Sequence, residues 1–342
     1  MVRGIDWYRQ VARPLFFALP PESAHGIAHA LLGLPLPWER LGEADRDPAL
    51  RVRLAGIGLA NPVGLAAGFD KRGSRLDALG RLGFGYVVAG TFTRRHRVGN
   101  PRPRIARYRD RASMTNAMGL PNPGAEAAAR TIRATRRTAP RFASIADEDL
   151  VDVLESHAIL EPHVDAVELN ASCPNVSWGR DRDNEQHLAA LLRELGVRRT
   201  TPLFVKLPPF RNSVEREVVL ALARLAQEGG ADGLTCSNTL PVRDARLATG
   251  AGGLSGRALF EGTLAIVEDV ASETGGELPI NASGGILSAA DALACMQAGA
   301  TTVQVYTAVI FEGPAVVGDL TAGLAPALGR RSSTPAGRAG AP

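Results

Sequence analysis

Of the 39 basic residues in the chain, 37 are arginine and only two, Lys71 and Lys206, are lysine. An ordinary surface position accepts either residue. A chain that has settled on arginine almost everywhere keeps lysine where a compact ammonium with an adjustable pKa does something a permanently charged planar fork cannot. A third candidate is Cys173, in the run VELNASCPN (167–175). A thiol with a reference pKa of about 8.5 can accept a proton near neutral pH, where a serine hydroxyl needs more activation. Asn170 and Asn175 frame it with groups that hydrogen-bond imides or amides without adding charge. The other two cysteines, Cys236 in an apolar run and Cys295 in a helical one, read as inert core. With no CxxC spacing, a disulfide framework and a zinc site are not expected, and a reducing cytoplasm is the natural setting. His96, His157, His163 and His187 show no ligand-like spacing, so no metal is assigned.

The elements that must position these groups repeat from residue 62 onward. Short apolar runs at 62–68, 86–91, 142–146, 166–172, 203–209, 233–239, 279–285 and 302–308 alternate with helical patterns such as EQHLAALLRELG and VEREVVLALARLAQEGG. Near-continuous apolar strands alternating with helices indicate a parallel sheet covered on its outer face. Eight of them predict an α/β fold, a (β/α)8 TIM barrel, with a doubly wound open sheet as the alternative. Two parts fall outside the repeat. An N-terminal segment over residues 1–48 carries two short helices, WYRQVARPLFFAL and ESAHGIAHALLGL, joined at Pro20 and Pro21. In the second, Ala24, Ile27, Ala28, Leu31 and Leu32 are expected to share one face. Residues 92–124 form a long insertion rich in Arg, Asn and Pro. The barrel is expected over 49–328, and the tail 329–342 is low in hydrophobes and expected to be disordered.

Chemistry in such barrels sits at the carboxyl ends of the strands. Here those ends carry Lys71, Thr91, Asn170 with Cys173, Lys206, Ser237 with Asn238, Gly284 with Gly285, and Tyr306 with Thr307. The glycine pair and the residues after the eighth strand fall where many barrels bind phosphate, because free backbone N–H groups there favour an anion. Both lysines make sense if that phosphate belongs to a flavin, whose reduced ring gathers negative charge that a fixed cation stabilises.

The motifs LPPESAH (19–25), NPVGLAAGFDKRG (61–73), GTFT (90–93), GNPRPR (99–104), TNAMGLPN (115–122), ELNASCPN (168–175), VKLPP (205–209), SNT (237–239), GGLSGRAL (252–259), SGGI (283–286) and QVYTAVIFEGP (304–314) stand in this order. Over about residues 10–325 the chain resembles the dihydroorotate dehydrogenases. The LPPESAH segment and the GFDKRG loop resemble the quinone-linked, membrane-associated class 2. The resemblance implies FMN contacts from Ala67, Gly68, Lys71, Thr91, Asn170, Lys206, Ser237, Gly256, Gly285, Tyr306 and Thr307. It implies substrate contacts from Lys71, Asn116, Asn170, Asn175 and Asn238, with His25, Arg107 and Tyr306 on the quinone side and Cys173 as catalytic base. It also implies electron transfer to a quinone and a monomer lying peripherally on the inner face of the cell membrane. Three departures stand out. Class 2 usually has serine where this chain has Cys173, which resembles class 1. SIADED (144–149) replaces the strand-three motif that usually supplies a flavin-binding asparagine, and VSWG (176–179) replaces the usual TPGL.

Composition narrows the field further. With 45% hydrophobic residues in 342, the chain can bury a large core. Its net charge of +4 comes without a basic run interleaved with aromatics, so no nucleic-acid partner is expected. No stretch approaches the ~20 apolar residues of a membrane span. The expected function is FMN-dependent oxidation of dihydroorotate to orotate. The alternative is an FMN oxidoreductase of the same fold acting on another cyclic amide or pyrimidine, which the altered segments 142–149 and 176–183 motivate. A barrel without turnover, serving as a binding protein, accords poorly with the retained lysines and cysteine.

Overall fold

The computed structural model describes residues 6–42, 44–171 and 184–332. Two helices, α1 (Arg13–Ala18) and α2 (Pro21–Leu31), follow a π-type turn over Tyr8–Ala12. Each has a proline in its first turn, and in α2, which opens after the non-helical Pro20, the missing N–H has no helical partner to lose. A hairpin of β1 (Val52–Leu54) and β2 (Ile57–Leu59) then leads into the barrel. In chain order the strands that follow are β3 (Val63–Leu65), β4 (Tyr86–Phe92), β5 (Ile105–Tyr108), β6 (Ser113–Asn116), β7 (Arg141–Ile145), β8 (Ala166–Leu169) and β9 (Leu203–Lys206). The last five are β10 (Gly233–Cys236), β11 (Leu240–Arg243), β12 (Ala251–Gly256), β13 (Ile280–Ser283) and β14 (Thr302–Val305).

Eight of these close a parallel barrel in the order β3-β4-β7-β8-β9-β10-β13-β14, all eight where the apolar runs predicted strands. Six of the strands, all but β4 and β7, are shorter than the runs because the run continues into the loop that carries the polar end. The N-terminal end of the barrel is plugged by stacked rings. Tyr86 and Phe142 lie 4.8 Å apart, and Phe142 and Phe204 5.5 Å, with Leu54 and Leu59 of the hairpin packed beneath. Gly64 leaves room for the plug: a Cβ there would lie 2.3 Å from the Tyr86 ring.

The insertion at 92–124 is not simply a loop. It contains the β5–β6 hairpin, which joins β11 and β12 in an antiparallel sheet of order β11-β12-β6-β5. No strand was expected at GGLSG, because three glycines present no side-chain alternation and the strand is made by pairing with its neighbours. The face predicted for α2 divides. Ala24 and Leu32 are buried and Ala28 half-buried, whereas Ile27 and Leu31 point outward at 44% and 41% exposure. Of these five apolar residues, only the stripe at i, i+4, i+8 turns inward. The last helix, Val316–Ser332, runs past Gly329, where the tail was expected to begin.

Candidate active site

The strand ends and the antiparallel sheet enclose one cavity of about 1270 Å³ at the carboxyl mouth of the barrel. Its wall includes Ala67, Gly68, Lys71, Thr91, Asn116, Asn170, Lys206, Ser237, Asn238, Gly256, Gly285, Tyr306 and Thr307. Both lysines of the chain therefore face the same space. Asn116 and Gly256 reach it on β6 and β12, which pair with each other through Gly253↔Asn116 and Gly256↔Ser113. Cys173 and Asn175 lie outside the described residues.

Polar side chains on neighbouring strands hold each other in place. Thr91 and Ser144 hydroxyls are 3.0 Å apart, Asn170 Nδ2 donates to Thr91 Oγ1 at 3.4 Å, and Asn238 Nδ2 donates to Asn170 Oδ1 at 3.2 Å. Asn238 Oδ1 accepts the Thr239 N–H at 2.8 Å. Of the SIADED segment, Ser144 thus joins the site through Thr91. Asp147 instead accepts the Arg94 N–H at 2.8 Å and the Arg97 guanidinium at 2.7 Å, tying down the start of the insertion.

Lys71 sits on the loop after β3. Asp70, fully buried, shapes that loop by accepting the N–H groups of Arg75 at 2.7 Å and Arg72 at 3.2 Å, with His29 Nε2 at 3.4 Å. Burial alone would raise the Asp70 carboxyl, but these hydrogen bonds outweigh it and hold it low. The Lys71 ammonium donates to the Gly68 carbonyl. Burial, then the Arg104 guanidinium, lowers Lys71 to about 8.

Of the residues expected on the quinone side, Tyr306 lines this cavity and His25 and Arg107 do not. His25 packs edge-on against Phe69 at 5.6 Å, and Phe69 against Tyr306 at 5.7 Å, so an aromatic series runs from α2 to the cavity wall. Burial and the nearby Lys71 charge push His25 down to about 3, which keeps it neutral. Burial raises Tyr306 to about 12. Arg107 donates to the Phe16 carbonyl at 3.1 Å and to the Leu19 carbonyl, and lies 4.6 Å above the Phe17 ring. It thereby satisfies carbonyls that the end of α1 leaves without helical partners.

Sequence reading overlooked Glu22, Arg104 and Phe69, which dock the N-terminal helices, and Glu168 and Gln304 inside the barrel. The inward position of Glu168 was readable from its alternation with Val167 and Leu169 in an otherwise apolar strand.

The residues suit a flavin mononucleotide. Gly285, at φ +71, faces the first turn of the helix Phe260–Glu273, and a Cβ there would lie 2.5 Å from the Phe260 nitrogen. Only glycine leaves this corner open as an anion cradle. Lys206 and the amides supply a cation and neutral partners for a polar ring.

A closed barrel whose strand ends converge on a single basic, amide-lined cavity defines a (β/α)8 protein with its site at the carboxyl mouth. The family model for dihydroorotate dehydrogenase matches residues 49–328, and the chain belongs to that family. It is 38% identical over 341 residues to the dihydroorotate dehydrogenase (quinone) of Rhodospirillum rubrum, covering 94% of this chain and 91% of that protein. It is 36% identical over 350 residues to the same enzyme of Kineococcus radiotolerans, covering 92% and 95%. Among solved structures, DHODH from Eimeria tenella in complex with ferulenol superposes with a TM-score of 0.79 at 28% identity, covering 93% of this chain and 96% of that one.

Proposed function

We propose that this protein oxidises dihydroorotate to orotate with FMN and passes the electrons to a quinone. The observation that carries the reading is that the only two lysines in the chain face one cavity, among seven of the amide and hydroxyl residues that the family resemblance assigns to flavin and substrate. The quinone-linked relatives, similar over nine-tenths of the chain, support the acceptor. FMN, when bound, supplies the acceptor for the substrate's hydride. Lys206 stabilises the negative charge that reduction creates, and Gly256, Gly285 and the start of the helix Thr307–Glu312 hold the phosphate. Lys71 receives the substrate carboxylate, while Asn116, Asn170, Asn175 and Asn238 orient the ring amides. Cys173 takes the C5 proton as general base.

His25, Phe69 and Tyr306 form the side from which a quinone approaches. A membrane surface suits the N-terminal segment: of thirteen large hydrophobics exposed among the described residues, eight lie between Trp7 and Leu36. No described helix is long and apolar enough to cross a membrane. The Asp147 anchor in place of the usual strand-three asparagine favours a second reading, oxidation of a different cyclic amide. Anaerobic mixing with dihydroorotate separates the two. Bleaching of the flavin spectrum is expected, and a yellow protein that stays oxidised overturns the first reading and leaves the second.

A further inference from the structure

Beneath the cavity floor lies a group to which the proposed chemistry has so far given no role. Glu168 on β8 is 1% exposed and points into the barrel, where branched apolar side chains ordinarily fill the layers. Its two oxygens have different surroundings. Oε2 accepts from Thr235 Oγ1 at 2.9 Å and Gln304 Nε2 at 3.3 Å. Oε1 has no hydrogen-bond partner and lies 3.8 Å from Lys206 Nζ. Among the described residues it is the one acid within ion-pair distance of that ammonium. Lys206 lines the cavity and Glu168 does not, so the carboxylate stands behind the cation, away from the bound molecule.

A neutral glutamine could accept the Thr235 and Gln304 hydrogen bonds equally well. What only the carboxylate offers is charge, and a buried charge is disfavoured unless it is paired. We propose that Glu168 is the fixed counter-ion of Lys206, a positioning residue that holds the ammonium at the cavity floor and offsets part of its field. It thereby sets how strongly the site favours reduced over oxidised flavin. This rests on the FMN reading above. With Glu168 present the pair is nearly neutral, and with Glu168→Gln the full positive charge of Lys206 acts on the site.

Redox titration of the FMN-loaded protein against a reference dye tests this. Glu168→Gln is expected to shift the two-electron equilibrium about tenfold toward reduced flavin, a rise of about 30 mV. An unchanged or lower potential in a variant that binds FMN overturns the proposal. Melting of the cofactor-free chain supplies a second readout. Lys206→Met strands a buried carboxylate, so it should melt lower than the double variant Glu168→Gln/Lys206→Met. Additive melting shifts overturn the pairing. A wild-type chain that takes up no FMN contradicts the function proposed above, while the melts still decide the pair. If Glu168→Gln does not fold, the double variant decides. Its folding supports the pair, and its failure where Lys206→Met folds assigns Glu168 to the hydrogen-bonded layer alone.

Discussion

Burial, and after it the Arg104 guanidinium, brings the Lys71 ammonium down to about 8. Because the substrate is anionic, the charged form binds it, and kcat/KM reports the free enzyme. Its value for dihydroorotate should show a descending limb near pH 8 from loss of the Lys71 charge, and Lys71→Arg should lack that limb and keep only the rise that the Cys173 base imposes, at a lower absolute rate. The same shift has a stability consequence. Between about pH 8 and the ordinary lysine value of 10.5 the unfolded chain holds a proton the folded one has released, so the cofactor-free fold should gain stability as pH rises there. His25 acts in the same direction in a lower pH window. Depressed to about 3 by burial and by Lys71, it favours the neutral folded form, and stability should decline as pH drops below its ordinary 6.5. Quinone reduction should accordingly show no histidine limb near neutrality. Cys173→Ala should keep FMN but lose flavin reduction by substrate, roughly 100-fold or more, while Cys173→Ser keeps part of the rate. Equal stopped-flow rates in all three proteins would refute the assignment of Cys173 as base.

At the scale of elements, α2 is held to the barrel by charge as much as by packing. Glu22 accepts from Arg104 at 2.8 and 3.2 Å and pairs with Arg102 at 3.0 Å. Burial would raise its carboxyl, but Arg104 outweighs that and lowers it. This contribution is present above the usual carboxylate range and is lost as pH falls below it. The Glu22 and Arg104 side chains are only 17% and 8% exposed, so removing one leaves the other short of a partner in a largely closed site. Glu22→Ala should cost about 1–3 kcal/mol in a thermal melt. Its diagnostic effect is a split: quinone-dependent turnover should drop several-fold, while single-turnover flavin reduction by dihydroorotate changes little. Parallel losses in both half-reactions would mean that α2 supports the cavity itself. The end of α1, clamped by Arg107 through the Phe16 and Leu19 carbonyls, belongs to the same docked unit.

Taken whole, the molecule separates two surfaces. The cavity mouth is polar and basic, and the N-terminal helices with the loop after them turn Leu15, Ile27, Leu31, Leu34 and Leu36 outward, each more than 40% exposed. Burying one such side chain is worth about 1.5–3 kcal/mol. Leu15→Glu combined with Leu31→Glu should therefore reduce co-sedimentation with phospholipid vesicles by at least about tenfold, with dihydroorotate-driven flavin bleaching intact. Undiminished vesicle binding would mean that this face is not the membrane contact.

The eight barrel strands and the residues at their ends were legible because an apolar run ending in Lys, Asn, Ser or Gly is a local pattern, and a closed parallel barrel brings every such end to one mouth. The scarcity of lysine marked Lys71 and Lys206 in the same way. Three things were decided only by the tertiary structure. The sheet of β5, β6, β11 and β12 arises from pairing between segments more than a hundred residues apart, with glycines where alternation would have shown. The apolar residues of α2 divide between barrel and solvent because packing selects one stripe, and helical spacing does not say which. Glu168 looked like one polar residue in an apolar strand, and acquired a partner only when β9 placed Lys206 beside it. Periodicity along the chain records which side a residue faces. What it meets on that side depends on distant strands, and there the tertiary structure alone decides.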